Sequence, residues 1–408
     1  MQKKRWNGTG RALAAAVAAA GLLIAEAAAP ADDWPQWLGP NRDGVSHETG
    51  WQWPADGPKV LWRASLGQGY SAVAVVGQRL FTMGNDGSKD IVWCLDVQTG
   101  KEVWRHAYPC KKGSYPGPRM TPTVHEGLVY TLSRDGDLFC FEAASGAVKW
   151  SHNVQKDFGV RQTKYKWGLS SSPLVLGERL ILDVGKVLAF DRTTGRLLWQ
   201  SGSDEAGFSS PVAIEVGGKT LVTGFTASAL VLVDAADGRE VARQEWTTDW
   251  AVNAATPVVQ GDRLFISSGY KTGCGVLRVT GGGLAVVYRN REIGNHCNNS
   301  IPYKGSLYGL DGQMGERSDL VCLDFATGEA KWRQKGFRAG GLTIADGKLL
   351  IQNDGGDLIL AEAAPAAYRE IARAEVLSGQ CWTHPVLANG RIYCRSHDGE
   401  LVCLDVRK

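Results

Sequence analysis

The sequence predicts an all-β fold, an eight-bladed β-propeller of four-stranded blades closed by an N-terminal strand that completes the last blade. Three observations predict it. First, one hairpin recurs: Leu320–Trp332 (LVCLDFATGEAKW), Ile91–Trp104 (IVWCLDVQTGKEVW), Leu138–Trp150 (LFCFEAASGAVKW) and Val187–Trp199 (VLAFDRTTGRLLW), with Leu401–Asp405 (LVCLD) as a last partial copy. Second, first-turn glycines stand at Gly77, Gly127, Gly177, Gly218, Gly261, Gly305, Gly347 and Gly390, so eight units follow one another at 41 to 50 residues. Third, the last unit reaches Lys408 just after its third strand, while Pro58–Arg63 (PKVLWR) has the form of a lone final strand with its Trp. Pairing the two removes the open seam of the ring.

Each element has a physical reason. The apolar run of the hairpin, rich in β-branched and aromatic residues, reads as a strand. Asp followed by Thr-Gly makes a tight turn, because Gly tolerates the positive φ that the turn requires. The Trp four residues beyond the Gly ends a second strand, and one hairpin cannot bury that indole, so the units must stack. The earlier half of each unit starts near a proline (Pro122, Pro173, Pro211, Pro257, Pro385) and turns at the register glycine into an apolar strand such as Leu128–Leu132. Some copies are degenerate. The fourth has Ala242 in place of Trp, the fifth ends near Tyr288, and the seventh loses both Thr-Gly and Trp. Other contacts must hold those blades.

The chain has 408 residues with 51 Gly, 15 Trp and 4 Met, and shows no long helical period after residue 31. Residues 1–31 read as a signal peptide: Lys3, Lys4, Arg5 and Arg11 precede an uncharged run from Ala12 to Ala25, too short to span a bilayer comfortably, followed by the small-x-small sites Ala25–Ala27 and Ala29–Ala31. The first cysteine is Cys94. A lipid-anchored product needs one at the cleavage site, so the expectation is a periplasmic or secreted monomer with no membrane anchor after cleavage. The formal charge of +3 is carried by that segment, four basic residues against Glu26, which leaves the rest near neutrality. Nucleic-acid binding needs a basic stripe, and none is visible.

Residues 32–57 form a Trp-, Pro- and Gly-rich leader expected to pack on the propeller of residues 58–408, because exposed Trp is costly. Turn chemistry accounts for Asn41, Arg42 and Asp43 more cheaply than a ligand does. Cys94, Cys140, Cys322 and Cys403 share one repeat position and read as core; Cys110, Cys274, Cys297, Cys381 and Cys394 are irregular, and export permits pairing without defining it.

The hairpin with Asp, Thr-Gly and Trp resembles the tryptophan-docking repeat of quinoprotein propellers, which include pyrroloquinoline-quinone (PQQ) alcohol dehydrogenases and BamB-like envelope assembly factors. From Trp34 to Lys408, with the leader WPQWLGPNRDGVS and the late segment CWTHPVLANGRIY, the chain is similar to the exported PQQ-binding-like β-propeller repeat proteins.

In a propeller, the segment before each first strand lies at one mouth of the central channel. Here those segments supply Arg119, Lys166, Trp167, Trp250, Asn253, His296, Asn299, Arg338 and Trp382. Aromatics stack, Arg and Lys neutralise, and Asn orients, so the expectation is one cavity for an anionic or planar small-molecule ligand. The resemblance implies PQQ with calcium as the cofactor of an oxidoreductase reading, with Trp167 or Trp250 as floor, Asn253 as ligand and Arg338 against the quinone. No carboxylate base stands among the channel segments, no adjacent-cysteine pair occurs, and no Cys-x-x-Cys-His haem motif occurs. His296, Cys297, Cys381 and His384 are a candidate zinc or copper set, with a whole blade between the two pairs and no recognised spacing. The leading expectation is an exported, non-catalytic binding or scaffolding propeller, BamB-like in acting on envelope proteins. The alternatives are a PQQ-dependent dehydrogenase, which needs a carboxylate beside a metal, and a carbohydrate-acting or carbohydrate-binding propeller, which for hydrolysis needs paired carboxylates.

Overall fold

In the computed structural model, which describes residues 1–2, 32–111 and 113–408, each repeat folds as an antiparallel sheet. The expected signal segment lies almost wholly outside those residues. Blade 1 is typical: Ala74–Val76, Arg79–Asn85, Lys89–Asp96 and Glu102–Pro109 pair in sequence order. Eight such sheets form the ring, seven of four strands and one of five. The one helix among the described residues, Val154–Phe158, is a single turn capped by Asn153.

The ring closes as the sequence predicts. Lys59–Ser65 pairs antiparallel with Glu400–Asp405, placing Trp62 opposite Cys403 in the register that Trp104 takes opposite Cys94. Behind that clasp, Arg395 of the last blade is fully buried and donates to Ser71 O, Thr82 Oγ1, Met83 O and Gly67 O of the blade-1 side. Burial pulls its pKa down to about 9.

Blade-to-blade contact is made by an indole lying on a glycine. A Cβ added to Gly100, Gly146, Gly195 or Gly238 would come within 2.4–2.6 Å of Trp62, Trp104, Trp150 and Trp199 respectively, the anchors of the preceding blades. These glycines have φ between 67° and 76°, so the turn and the close approach both demand Gly. The turn is held by its Asp: Asp191 Oδ1 accepts from Thr193 N, Thr193 Oγ1 and Thr194 N, and these bonds, the Thr193 hydroxyl first, hold the carboxyl at about 2. The indole N–H reaches a carbonyl of the next blade, with Trp62 to Val97 O at 3.0 Å, Trp104 to Ala143 O at 2.9 Å and Trp150 to Arg192 O at 3.1 Å. Trp62 and Trp104 are buried; Trp150, Trp199 and Trp332 are half-buried, because an outer strand leaves one edge of the ring to solvent.

The degenerate blades use substitutes. Tyr288 lies on Gly328 in place of an indole. Trp246 supplies the missing anchor of blade 4, donating to Ser268 Oγ with the Arg289 guanidinium 4.2 Å from its ring centroid. Blade 7 has small residues, Ala372 and Ala374, on its outer strand, and there the leader fills the gap: Trp53 packs beside them and Trp51 is buried between blades 7 and 8.

The leader also crosses the ring. Trp34 bridges to Val75 in blade 1, and Arg42 donates to Ser172 O and Pro173 O in blade 3. Trp37 donates to Thr256 Oγ1 in blade 5, Val45–Ser46 pairs parallel with Gly340–Ala345 in blade 7, and Gln52 N donates to Val406 O. Asn41, Arg42 and Asp43 line a second cavity together with first-strand residues such as Val175 and Val259. The leader thus occupies one end of the axial channel.

Two predictions follow from this packing. Trp104→Ala should lower the unfolding free energy by roughly 3–5 kcal/mol, the cost of a large core truncation, read from urea denaturation. A variant that melts with wild type contradicts the docking contact. The second concerns Asp183, which is buried in blade 3, accepts Phe225 N–H with Oδ2, and leaves Oδ1 without a partner among the described residues. Burial raises its pKa to about 7. An unfolded Asp titrates near ~3.9, so between those values the folded state binds more protons and stability falls as pH rises from ~4 towards 7, then levels. Asp183→Asn should flatten this part of the stability–pH curve; an unchanged slope rules the assignment out.

Candidate functional site

At the other end of the channel the segments entering the first strands converge. Tyr70 N donates to Pro118 O, and Phe208 N to Asn253 O, so consecutive mouth segments are tied to one another. A Cβ on Gly117 would lie 2.2 Å from Gln68 O, which is why the chain can run so close there. Serines pass the link onward: Thr121 N donates to Ser172 Oγ and Ser172 N to Ser210 Oγ.

These segments enclose a cavity of about 200 Å³. Its walls are Tyr70, Tyr115, Arg119, Trp167, Phe208, Tyr270, His296, Cys297, Met314 and Trp382, and its floor includes Trp37 from the leader. Tyr70 stacks on Trp382 (5.2 Å, 25°) and on His397 (4.3 Å, 22°). Trp37 meets buried His384 edge-on at 4.9 Å. The leader therefore turns a through-channel into a blind pocket.

The expected residues divide. Arg119, Trp167, His296 and Trp382 line the cavity. Trp250 is exposed and reaches it only through Trp167, at 6.4 Å between ring centroids. Lys166 is exposed and outside the lining. Arg338 also lies outside it, 3.8 Å from buried Asp354, whose other oxygen accepts the Trp382 indole N–H at 2.9 Å; it holds the wall from behind. Asn253 and Asn299 are buried braces. Asn253 donates to Thr226 O and Trp246 O and accepts from Ser268 Oγ, while Asn299 Oδ1 accepts from Thr256 N of the preceding blade.

Sequence reasoning missed Trp37, Tyr115, Tyr270 and Met314. The last two sit between second and third strands, connections that reach the same face as the segments before first strands. Counting connections by face would have found them. Trp37 had no such signal, since nothing in the leader fixes which end of the channel it enters.

His296 and Cys297 lie side by side in the wall. Cys297 is open to solvent but walled closely enough that desolvation opposes its thiolate; His296 and then Arg119 outweigh this, so the thiol lies below its ordinary pKa. The histidine contribution requires its cation. Nδ1 accepts Met314 N–H at 3.2 Å and Nε2 faces Tyr270 Oη at 2.9 Å; burial works against the cation, and the neighbouring Cys297 outweighs it and raises the ring's pKa. Cys381 and His384 do not join this pair. Cys381 is buried with its thiol towards Gly379 O at 3.7 Å, and burial holds His384 at about 4. No group of three His, Cys, Asp or Glu suited to a metal occurs among the described residues.

PQQ with calcium asks for hard oxygen ligands and a carboxylate. The lining has no Asp or Glu, and the amide of Asn253 is spent on three internal bonds. The residues present do not fit that cofactor.

Fold and mouth together define a quinoprotein-type propeller with a blind, aromatic cavity. A family model described as outer membrane protein assembly factor BamB matches residues 88–334 and 316–408, and the chain belongs to that family. It is 28% identical over 178 residues to the outer membrane protein assembly factor BamB of Burkholderia pseudomallei (strain K96243), 42% of each chain. It is 26% identical over 209 residues to that of Yersinia pestis, 49% of this chain and 48% of the other. These matches span less than half the length of either relative. Among solved structures, BamB from Moraxella catarrhalis superposes with a TM-score of 0.61 at 15% identity, over 85% of this chain and 99% of that one. The quinohemoprotein alcohol dehydrogenase from Comamonas testosteroni superposes with a TM-score of 0.69 at 13% identity, over 92% and 81%. At such identities both show the fold alone.

Among nine cysteines, all free, only Cys297 is exposed. The folded protein should therefore react with a disulfide reagent at one fast thiol, with a pH midpoint below the ordinary ~8.5. Cys297→Ser should abolish the fast phase; several fast thiols in the native state would contradict the packing of the other eight.

Proposed function

We propose that this chain is an exported, non-catalytic propeller that binds and scaffolds other proteins of the cell envelope, in the manner that the family description implies. Membership of the BamB family over residues 88–408 carries the reading. Three features support it. The cavity lining contains no carboxylate to serve as a base. Tyr115 and Trp250 stand 54% and 46% exposed beside the mouth, aromatic surface of the kind partners use. The basic, alanine-rich start of the chain has the pattern of an export signal. Among the described residues no helix is long and apolar enough to cross a membrane. The export pattern and the family description support a periplasmic location.

The test is removal of the protein from its native cells, with folded and unfolded outer-membrane β-barrels separated by their heat-dependent gel mobility. The expected result is a lower folded fraction, restored by the wild-type chain. Unchanged barrels reject the assembly role. Calcium-dependent PQQ binding by the purified protein, with dye-linked oxidation of an alcohol, would replace it with a dehydrogenase.

A further inference from the structure

The cavity holds a cation whose balance of contacts is incomplete. Arg119 stands in its wall. Nη2 is engaged by Ser114 O at 3.3 Å and Tyr115 O at 2.9 Å. Nη1 lies below the surface and has no acceptor among the described residues. Nη1 lies close to Gly168, where an added Cβ would come within 3.1 Å of it. Burial, and then the neighbouring Arg134, lower its pKa to about 10. A guanidinium in such surroundings is costly unless an anion joins it, and the lining offers no Asp or Glu. Beyond the Cys297 thiol in the same wall, the acceptor has to arrive with whatever binds.

The rest of the wall specifies what carries that anion. Tyr70 and Trp382 form a stacked pair, Trp167 and Phe208 lie 6.0 Å apart by ring centroids, and Trp37 makes an indole floor. Such faces accept an aromatic ring by offset or edge contact. They would also suit an organic ammonium, but the Arg119 guanidinium, 5.9 Å from the Tyr70 ring centroid, already stands there and repels a second cation. About 200 Å³ is small beside the ~300–1,000 Å³ of pockets for drug-sized ligands. One guanidinium with one donor left over matches one carboxylate.

We infer that this cavity binds an aromatic carboxylate, with one ring against the Tyr70, Trp382 and Trp167 faces and one carboxylate accepting from Arg119. Two sources share that chemistry: a free aromatic acid, and the C-terminal residue of a polypeptide that ends in an aromatic side chain. The inference goes beyond the envelope-scaffold reading and stands without it.

Calorimetry on the purified full chain tests it with phenylacetate, phenylacetamide and cyclohexylacetate, and with a hexapeptide ending in phenylalanine as free acid and as amide. Protection of Cys297 from alkylation reports whether binding is in this cavity. The expected result is that at least one free acid binds and slows alkylation, with its amide at least about 10-fold weaker, as the loss of a charge-assisted bond implies. Cyclohexylacetate should be weaker than phenylacetate where the small acid binds. Phenylacetate alone identifies a small-molecule site; the peptide acid alone identifies a chain-terminus site. Arg119→Gln should remove the preference for acid over amide, and Trp382→Leu should weaken both. If either variant fails to fold, the comparison of acid with amide on wild type still decides. Absence of binding by both acids, equal binding of acid and amide, or binding without protection of Cys297 overturns the inference.

Discussion

The structure depends on an indole resting on a glycine. A blade's outer strand carries a large apolar ring that its own sheet cannot cover, and the turn glycine of the next blade offers the one surface flat enough to receive it. Gly146 shows both halves of the constraint, a left-handed φ of 73° and a Cβ position 2.6 Å from Trp104. An aromatic side chain buries roughly 150–250 Å² when fully covered, so each contact is a large share of a domain's marginal stability. The contacts are also serial. An open ring would leave its last anchor uncovered, and that is the force behind the N-terminal clasp: Trp62, delivered from the start of the chain, covers Gly100. Arg395 fastens the same seam with four acceptors from blade 1, carbonyls and a hydroxyl in place of a carboxylate.

Eight blades leave an axial hole, and the leader answers it. Trp34, Trp37, Trp51 and Trp53 serve different needs. Trp34 is buried against blades 1 and 8, Trp37 closes the channel, and Trp51 and Trp53 replace the indole that blade 7 lacks. Arg42 has positive φ (56°) and sits buried on the carbonyls of Ser172 and Pro173. The segment Asn41-Arg42-Asp43 is thus turn and anchor together, fixed by the ring it crosses.

Much of this was legible because a repeat states its constraint many times. Asp, Thr-Gly and Trp at fixed spacing are local chemistry, so blade number, register and the closing strand could be read from them. The mouth was legible only in part. Position before a first strand brought Arg119, Trp167, His296 and Trp382 to one cavity, since ring symmetry alone does that. The same position gave no hint that Asn253 and Asn299 face inward as braces, because a side chain's direction there is set by partners such as Thr226, Ser268 and Thr256 that are remote in sequence. Lys166 and Arg338 differ for a related reason. Long charged side chains keep their heads in water when they can, so a positive charge at the mouth need not be a charge in the cavity.

The residues that do meet there hold one another in place. A thiol nucleophile needs a base to take its proton, and His296 is the neighbour of Cys297. Both ring nitrogens of His296 have partners, Nδ1 the Met314 amide and Nε2 the Tyr270 hydroxyl, so the ring is fixed in the wall beside the thiol. The nearby carboxylate Asp354 is turned to Trp382 and Arg338 and works as a support. His384 lies under the floor, neutral and packed against Trp37. Asp354 and His384 thereby help to hold an aromatic wall in place. What remains open to a visitor is a set of ring faces, one guanidinium and the exposed Cys297 thiol, a surface shaped to hold a ligand.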